Sequence, residues 1–470
     1  MSEIKTYKGY GAYKLLWDFL ATSYEGGPDY KNYLDAHGNE LFIQHELETG
    51  KRAGRRRRHA TYKNYARTIA DKFRDYVYRR EIEWPKADGK PKLQDFLDNC
   101  DLDGTTLQQY CRNATMMAQV FGEALVGFDA SPIPDGMQAS TQAQAVATGQ
   151  RLYLTLTDIR RMVDYESDGK EFTRIVLEER TRAKSDFMEE EKETVSYIQW
   201  TPWEWTRFND KGIATEMDNH DFGVVPFWRY RHDSEARSQI VDIAECSRKI
   251  FNLASLLDEE LYSRTFSQIF ISGENIQKGD LAEVIGGNSN VIVIPGQGVS
   301  VDIKGADPEQ AASILKVINA EIKEIWRQAG IDSGDPTENS QPESGAARAW
   351  AFHSTEQQLA TIAEGAESMA NNLLEALAKQ DAIEDGFDPV SFPRKFDVTS
   401  LQDDIKNTIE LFTLDYLPIT AAKELTKRVV KKALQRTDPK LLEKINDEID
   451  AMEEITMDFS DNAINLGKES

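Results

Sequence analysis

Residues 240–264 read IVDIAECSRKIFNLASLLDEELYSR, and residues 307–329 read DPEQAASILKVINAEIKEIWRQA. In the first stretch Ile240, Ile243, Ile250, Leu253, Leu256, Leu257 and Leu261 recur at helical intervals, in a pattern running from 234 to 264. In the second, Asp307-Pro308 supplies an N-cap and a first-turn proline. Ile314, Val317, Ile318, Ile322 and Ile325 then form one apolar face. Residues 268–304 between them predict strands at 268–272 and 290–295, with turns at Gly286-Gly287, Gly296 and Gly298. Two antiparallel helices joined by a small β tip make a hairpin too thin to bury both faces alone, so stacking of copies is expected.

Downstream, residues 332–344 (DSGDPTENSQPES) hold no aliphatic or aromatic side chain and read as a solvated loop. A helix is predicted over 345–379, where Phe352, Thr355, Leu359, Ile362, Ala366, Met369, Leu373 and Ala376 step by three and four. Its shallow Ala and Thr positions suit close helix packing in a larger assembly. A strand is expected around 391–398, a Ser400-capped helix to about Phe412, a helix over 420–435, and another from Asp438-Pro439 to about Glu454.

Upstream, Tyr24-Glu-Gly-Gly-Pro-Asp-Tyr30 reads as a loop between short helices. Residues 51–80 carry twelve Lys or Arg against Asp71 and Asp75, with Tyr62, Tyr65, Ile69, Phe73 and Tyr76 at helical spacing, which predicts one amphipathic basic helix. It admits two readings: a contact for phosphate or an acidic partner, or a solvated face balancing an acidic neighbouring subunit. A helix over 104–121, a buried strand after Gly122, and strands at 172–180, 194–200 and 205–209 follow. The segment 138–149 reads as a loop, the acidic run 188–193 as a hairpin tip, and 222–230 as a strand broken by Pro226.

Composition narrows the function classes. A length of 470 residues predicts about two to four packed modules. Hydrophobic residues at 40% and charged residues at 29% mark a folded chain. No run approaches the roughly 18 apolar residues of a membrane span. Residues 1–8 lack an apolar segment, so no signal peptide is expected and folding is expected in the cytosol. Cys100, Cys111 and Cys246 are widely spaced and read as apolar fillers. His37, His45 and His59 show no ligand spacing, so neither metal nor cofactor is expected.

Lys and Arg number 56 against 80 Asp and Glu, a net charge of −24. Gripping phosphate requires clustered cations, but an acidic wall can surround DNA without holding it. The P-loop, G-x-G-x-x-G, G-x-S-x-G, H-N-H-type and deaminase patterns are all missing. Adjacent acids such as Asp403-Asp404 and Glu259-Glu260 are expected by chance among so many, and no catalytic residue is assigned.

From residue 222 to 398 the order of elements resembles the portal proteins of long-tailed bacteriophages. The resemblance rests on Phe222-Gly-Val-Val-Pro226, the helix with Asp242-Ile243 and Asn252-Leu253, the β insert, the second helix, the polar loop, and Glu343-Ser-Gly-Ala-Ala347 opening an alanine-rich helix. Gly26-Gly-Pro28, the segment 55–72 (RRRRHATYKNYARTIADK) and the helix ending Phe121-Gly122 extend it over most of the chain.

The resemblance implies an α+β, mainly helical subunit. Its parts would be a wing (1–233), stem helices (234–264 and 307–331), a small β-containing clip (265–306), a tunnel loop (332–344), a long kinked helix (345–380), a wing return strand (381–400), and a helical crown and tail (401–470). Such subunits assemble into a ring, commonly of twelve copies, at one capsid vertex of the virion, after assembly in the host cytoplasm and without a membrane. Double-stranded DNA would pass Asp332, Asp335, Thr337, Glu338, Asn339, Ser340 and Gln341. Glu274, Asn275, Lys278, Asp280, Asn288, Asn290 and Gln297 would dock terminase during genome packaging and a head–tail connector afterwards. Arg55, Arg56, Arg57, Arg58, Lys63 and Arg67 would meet the major capsid protein, scaffolding protein or DNA. Some family members carry a lysine in the tunnel loop; here Asp332, Asp335, Glu338 and Glu343 stand without a cation, which argues against phosphate gripping. Two rival readings are a head–tail connector or other virion structural protein, usually shorter and without the helix pair, and an enzyme of unrecognised class.

Overall fold

Apolar residues at helical spacing between Tyr10 and Phe121 build a helical layer, and alternating residues beyond it build two sheets. The computed structural model describes residues 5–46, 48–79, 81–131, 151–169, 171–183, 192–220, 222–232, 235–265, 268–273, 291–295, 300–304, 308–329, 345–396, 423, 427, 430 and 439–451. It divides into two units, Met1–Phe396 and Asp397–Ser470, with α+β architecture.

In the first unit α1 (Tyr10–Glu25), α2 (Gly27–Asn32), α3 (Gly50–His59), α4 (Tyr65–Arg79), α5 (Pro91–Asp98) and α6 (Leu107–Phe121) form the helical layer. The core brings Trp17 and Leu20 of α1 together with Ile69, Phe73 and Val77 of α4 and Tyr110, Ala114 and Ala118 of α6. The loop expected at 24–30 narrows to one break at Gly26.

The single basic helix expected over 51–80 is two helices. Tyr62 stacks on Tyr30 with ring centroids 3.6 Å apart and donates its hydroxyl to the Ser23 carbonyl at 3.0 Å, which draws 60–64 off a helical path. Asn64 then opens α4 by accepting the Arg67 N–H at 2.8 Å. At the other end of the layer, a capping box between Thr106 and Gln109 opens α6 and Gly122 closes it at φ 87°. A Cβ on Gly122 would stand 2.1 Å from the Ala236 carbonyl oxygen, so the position accepts glycine alone.

β1 (Ala124–Ala130) and β2 (Leu152–Thr157) pair antiparallel. β3 (Met162–Asp168), β4 (Glu171–Ala183), β5 (Lys192–Trp200), β6 (Glu204–Asn209) and β7 (Ala214–Asn219) form an antiparallel meander in that order. β8 (Phe227–Tyr230) returns to the free edge of β1. The strand expected over 222–230 thus begins only after Pro226, which has no N–H for a ladder and accepts the Phe128 N–H at 3.0 Å. The expected loop at 138–149 and most of the acidic run at 188–193 lie outside the described residues.

α7 (Val241–Thr265) and α8 (Pro308–Gln328) flank a mixed sheet. In that sheet β9 (Gln268–Gly273) pairs parallel with β10 (Val291–Pro295) and antiparallel with β11 (Ser300–Lys304). α9 (Gly345–Lys379) packs on α4 and α6. Its stripe from Leu359 to Leu377 is buried within this unit, which corrects the expectation that it serves a larger assembly. The strand expected at 391–398 reduces, over its described residues, to one bridge between Ser391 and Glu83. The reason is local: the Phe392 and Phe396 N–H groups are donated to the Glu367 and Glu356 carboxylates of α9, and Pro393 has none.

In the second unit α10 (Pro439–Ala451) buries Ile449, and Asp450 pairs with Lys427 at 2.6 Å. Residues 423, 427 and 430 are helical; the rest of the two helices expected over 400–435 lies outside the described residues.

Replacing Gly122 by alanine is expected to destabilise the first unit by about 2 kcal/mol or more, through both φ and overlap. A urea midpoint unchanged from the parent chain would contradict this account of the α6 terminus.

Candidate assembly surface

α3 is so basic that it needs acids beside it, and α7 supplies one. Glu259 of α7 receives both Arg52, at 3.4 Å, and Arg55. Arg57 pairs with Glu40 and lies 4.9 Å from the Phe42 ring centroid. Arg56 is fully buried: its guanidinium donates to Glu48 at 3.0 and 2.8 Å, to the Ile43 carbonyl at 2.6 Å and to the Ser255 hydroxyl of α7 at 2.7 Å. Asn252, one turn before Ser255, accepts the Ile43 N–H at 2.7 Å and donates to the Leu41 carbonyl at 2.9 Å. The 40–48 segment and α3 are therefore clamped to the second half of α7.

Of the basic residues singled out from sequence, then, Arg55, Arg56 and Arg57 pair within the chain. Arg67 is exposed beside Asp71 at 3.4 Å, and Arg58 and Lys63 are exposed. The DNA-facing set at 332–341 and the docking set at 274–297 lie outside the described residues.

Before the clamp α7 and α8 run antiparallel: Cys246 Sγ meets Gln328 Oε1 at 3.8 Å, and Lys249 pairs with Glu321 about five-sixths of a turn further along α7. Ile243, Ile250 and Phe251 of α7 and Ile318 and Ile325 of α8 are buried. Part of the apolar pattern stays exposed alongside α3, whose Arg55 lies 4.8 Å from the Tyr262 ring centroid and whose His59 stacks on it at 6.4 Å. Leu256 remains 40% exposed, Leu261 44%, Tyr262 56%, Leu315 47% and Val317 41%.

These residues fall on two sides of the hairpin. Leu256 lies two turns beyond Lys249 and Val317 about one turn from Glu321, so both share the side marked by that ion pair. Leu261 continues the core-facing stripe of Ile243 and Ile250. Leu315 shares its stripe with Trp326, whose ring lies under Lys72 of α4 at 5.8 Å. Sequence periodicity placed Leu256, Leu261 and Val317 on the apolar faces and passed over Leu315 and Tyr262. The signal for Leu315 was its place outside the stripe of Ile314, Ile318, Ile322 and Ile325.

Elsewhere a cavity of about 2340 Å³ opens beside β2, β5 and β6, lined among others by Asp129, Tyr153, Glu179 and Arg207. Burial raises the Asp129 carboxyl, and Glu179 takes Arg207 at 3.5 Å and Arg161 at 3.8 Å. Burial likewise pushes the Cys100 thiol up to about 12. Among the described residues no group of three or more His, Cys, Asp or Glu could hold a metal ion, and no helix is long and apolar enough to cross a membrane.

No protein-family model matches the chain, and no curated protein matches it. Among solved structures, a chain of the neck of a native GTA particle, computed with C12 symmetry, is similar over 77% of this chain and 88% of its own, at 11% identity and a TM-score of 0.41.

The hydrogen bond from Arg56 holds the Glu48 carboxyl below the usual carboxylate range. A depressed folded pKa gives stability that is present above the ordinary value and lost as pH falls through the folded one. Glu48→Gln is expected to lower the unfolding midpoint at neutral pH and to flatten its decline between about pH 5 and pH 2. Parallel pH profiles for the two chains would contradict this role.

Proposed function

We propose that this chain is a portal-type virion subunit, a non-enzymatic ring former through which double-stranded DNA passes during genome packaging and ejection. The observation that supports this reading is the α7–α8 hairpin: anchored along α7 by α3, tipped by a small mixed sheet, and carrying incompletely buried apolar residues on two sides. A hairpin of that kind leaves surface that further copies can cover. The stem would be α7 and α8, the clip the sheet β9–β11 with its connections, and the wing the layers up to β8.

A separate ATPase would drive translocation. The clip connections at 274–290 would receive terminase during packaging and a head–tail connector afterwards. The acidic loop 332–344 would border the DNA as a repelling wall rather than a grip. Of the six basic residues singled out from sequence, Arg58, Lys63 and Arg67 are left exposed for capsid, scaffolding protein or DNA. The ring would sit at one capsid vertex.

The native mass of the purified chain tests the reading. Light scattering is expected to give a closed ring of about twelve 53.3 kDa subunits with a central channel on imaging. A chain that stays monomeric at high concentration would overturn it. Deleting residues 273–298 is expected to abolish DNA packaging with the ring mass retained; loss of the ring would move assembly to the hairpin tip.

A further inference from the structure

Contacts between α7 and α8 fix which residues stand at one height along the hairpin. Counting from Cys246 beside Gln328 and Lys249 beside Glu321, Glu245 stands level with Arg327 and Leu256 with Leu315, within a turn. Rotation about an axis running along the hairpin preserves height, so residues at one level in one copy meet residues at that level in the next.

The solvent-facing sides differ in charge. On the side of Leu256 and Val317, α7 exposes Asp242 and Glu245, while its Lys249 is taken up by Glu321. On the outer side of α8, Lys316, Lys323 and Arg327 are exposed on one stripe beside Leu315. Acid thus stands level with base near the root, and an apolar residue level with an apolar residue further out. The pairs these acids and Arg327 make within their own chain, Arg237–Asp242 at 2.5 Å, Arg248–Glu245 at 2.7 Å and Arg327–Glu324 at 2.5 Å, are exposed to solvent. Exposed pairs of that kind hold little energy and exchange readily for others.

We propose that α7 of one copy packs against α8 of the next in a fixed register, with Asp242 and Glu245 facing Lys323 and Arg327, and Leu256 facing Leu315. The two surfaces are different, so the contact is heterologous and each copy uses both. That is the arrangement that closes into a ring rather than stopping at a dimer. The inference rests on the ring reading above and specifies which surfaces make the ring.

Two measurements test it. The first places Leu256→Cys and Leu315→Cys in one chain carrying Cys246→Ser, oxidises it, and runs denaturing electrophoresis without reductant. The two positions lie on opposite sides of a hairpin, so a covalent ladder extending beyond the dimer is expected. The second compares Glu245→Lys, Arg327→Glu and the double variant by native mass. Each single reversal is expected to lower the ring fraction about tenfold and the double to restore it, because like charges facing each other are repulsive. Leu256, Leu315, Glu245 and Arg327 are exposed and Cys246 is half-buried, and circular dichroism would verify folding. Ring mass with no ladder, or single reversals that leave the ring unchanged, would overturn the interface while sparing the ring. A ladder ending at the dimer would overturn its heterologous character. Failure of the unmodified chain to form a ring would remove the reading on which both depend.

Discussion

Taking the Arg56 guanidinium out of water costs several kcal/mol unless its donors are all received in good geometry. Two separate segments receive them: Glu48 and the Ile43 carbonyl from the loop before α3, and Ser255 from α7, with the Phe42 ring centroid 4.1 Å away. None of these groups can be withdrawn without stranding a buried charge, so the loop, α3 and α7 must come together as one piece. Asn252 reinforces the same joint with backbone bonds to both Leu41 and Ile43. The long hairpin is therefore held to the loop and α3 by directional bonds along α7.

That joint also changes the meaning of the arginine run. Read as composition, Arg55-Arg-Arg-Arg58 looks like a handle for a polyanion. In the fold, three of the four guanidiniums face carboxylates of their own chain, one beneath the surface and two beside it. A chain with net charge −24 has acids to place beside every cation, and the cheapest use of a basic helix is to dock it.

Much of this was legible from sequence where large aliphatic residues carried the period. α7, α8 and α9 stand within a few residues of their expected bounds, except that α7 begins at Val241 rather than 234. β4, β5 and β6 were recognisable from their β-branched and aromatic content, whereas β7 escaped because all of its residues are exposed and none reports a face. The break between α3 and α4 escaped for another reason. Tyr62 has the right spacing for α4 but finds a better partner in Tyr30, and only Asn64, a capping residue inside an apparent helix, hinted at the break. Of the proposed site residues, the basic set could be located and largely assigned to intrachain pairs. Which residues of the apolar faces stay exposed, Leu256 and Val317 among them, was not legible, because periodicity gives the face of a helix and not which of its residues the neighbouring helices leave uncovered.

The energy in that exposed surface is modest, and the modesty is informative. Fully burying a large aliphatic side chain is worth about 1.5–3 kcal/mol, and these five are already roughly half covered. Covering them would return on the order of 1 kcal/mol each, about 5 kcal/mol for the set, before the cost of association is subtracted. An isolated pair of copies held by this surface alone would be weak, since a micromolar complex needs about 8 kcal/mol. A contact that is weak singly becomes durable when each copy makes it twice and the last copy closes on the first, because leaving the ring then breaks two interfaces at once. On the ring proposal, a heterologous contact of this strength would favour closed assembly over stable dimers, and would need enough copies, or a partner that gathers them, to bring the ends together.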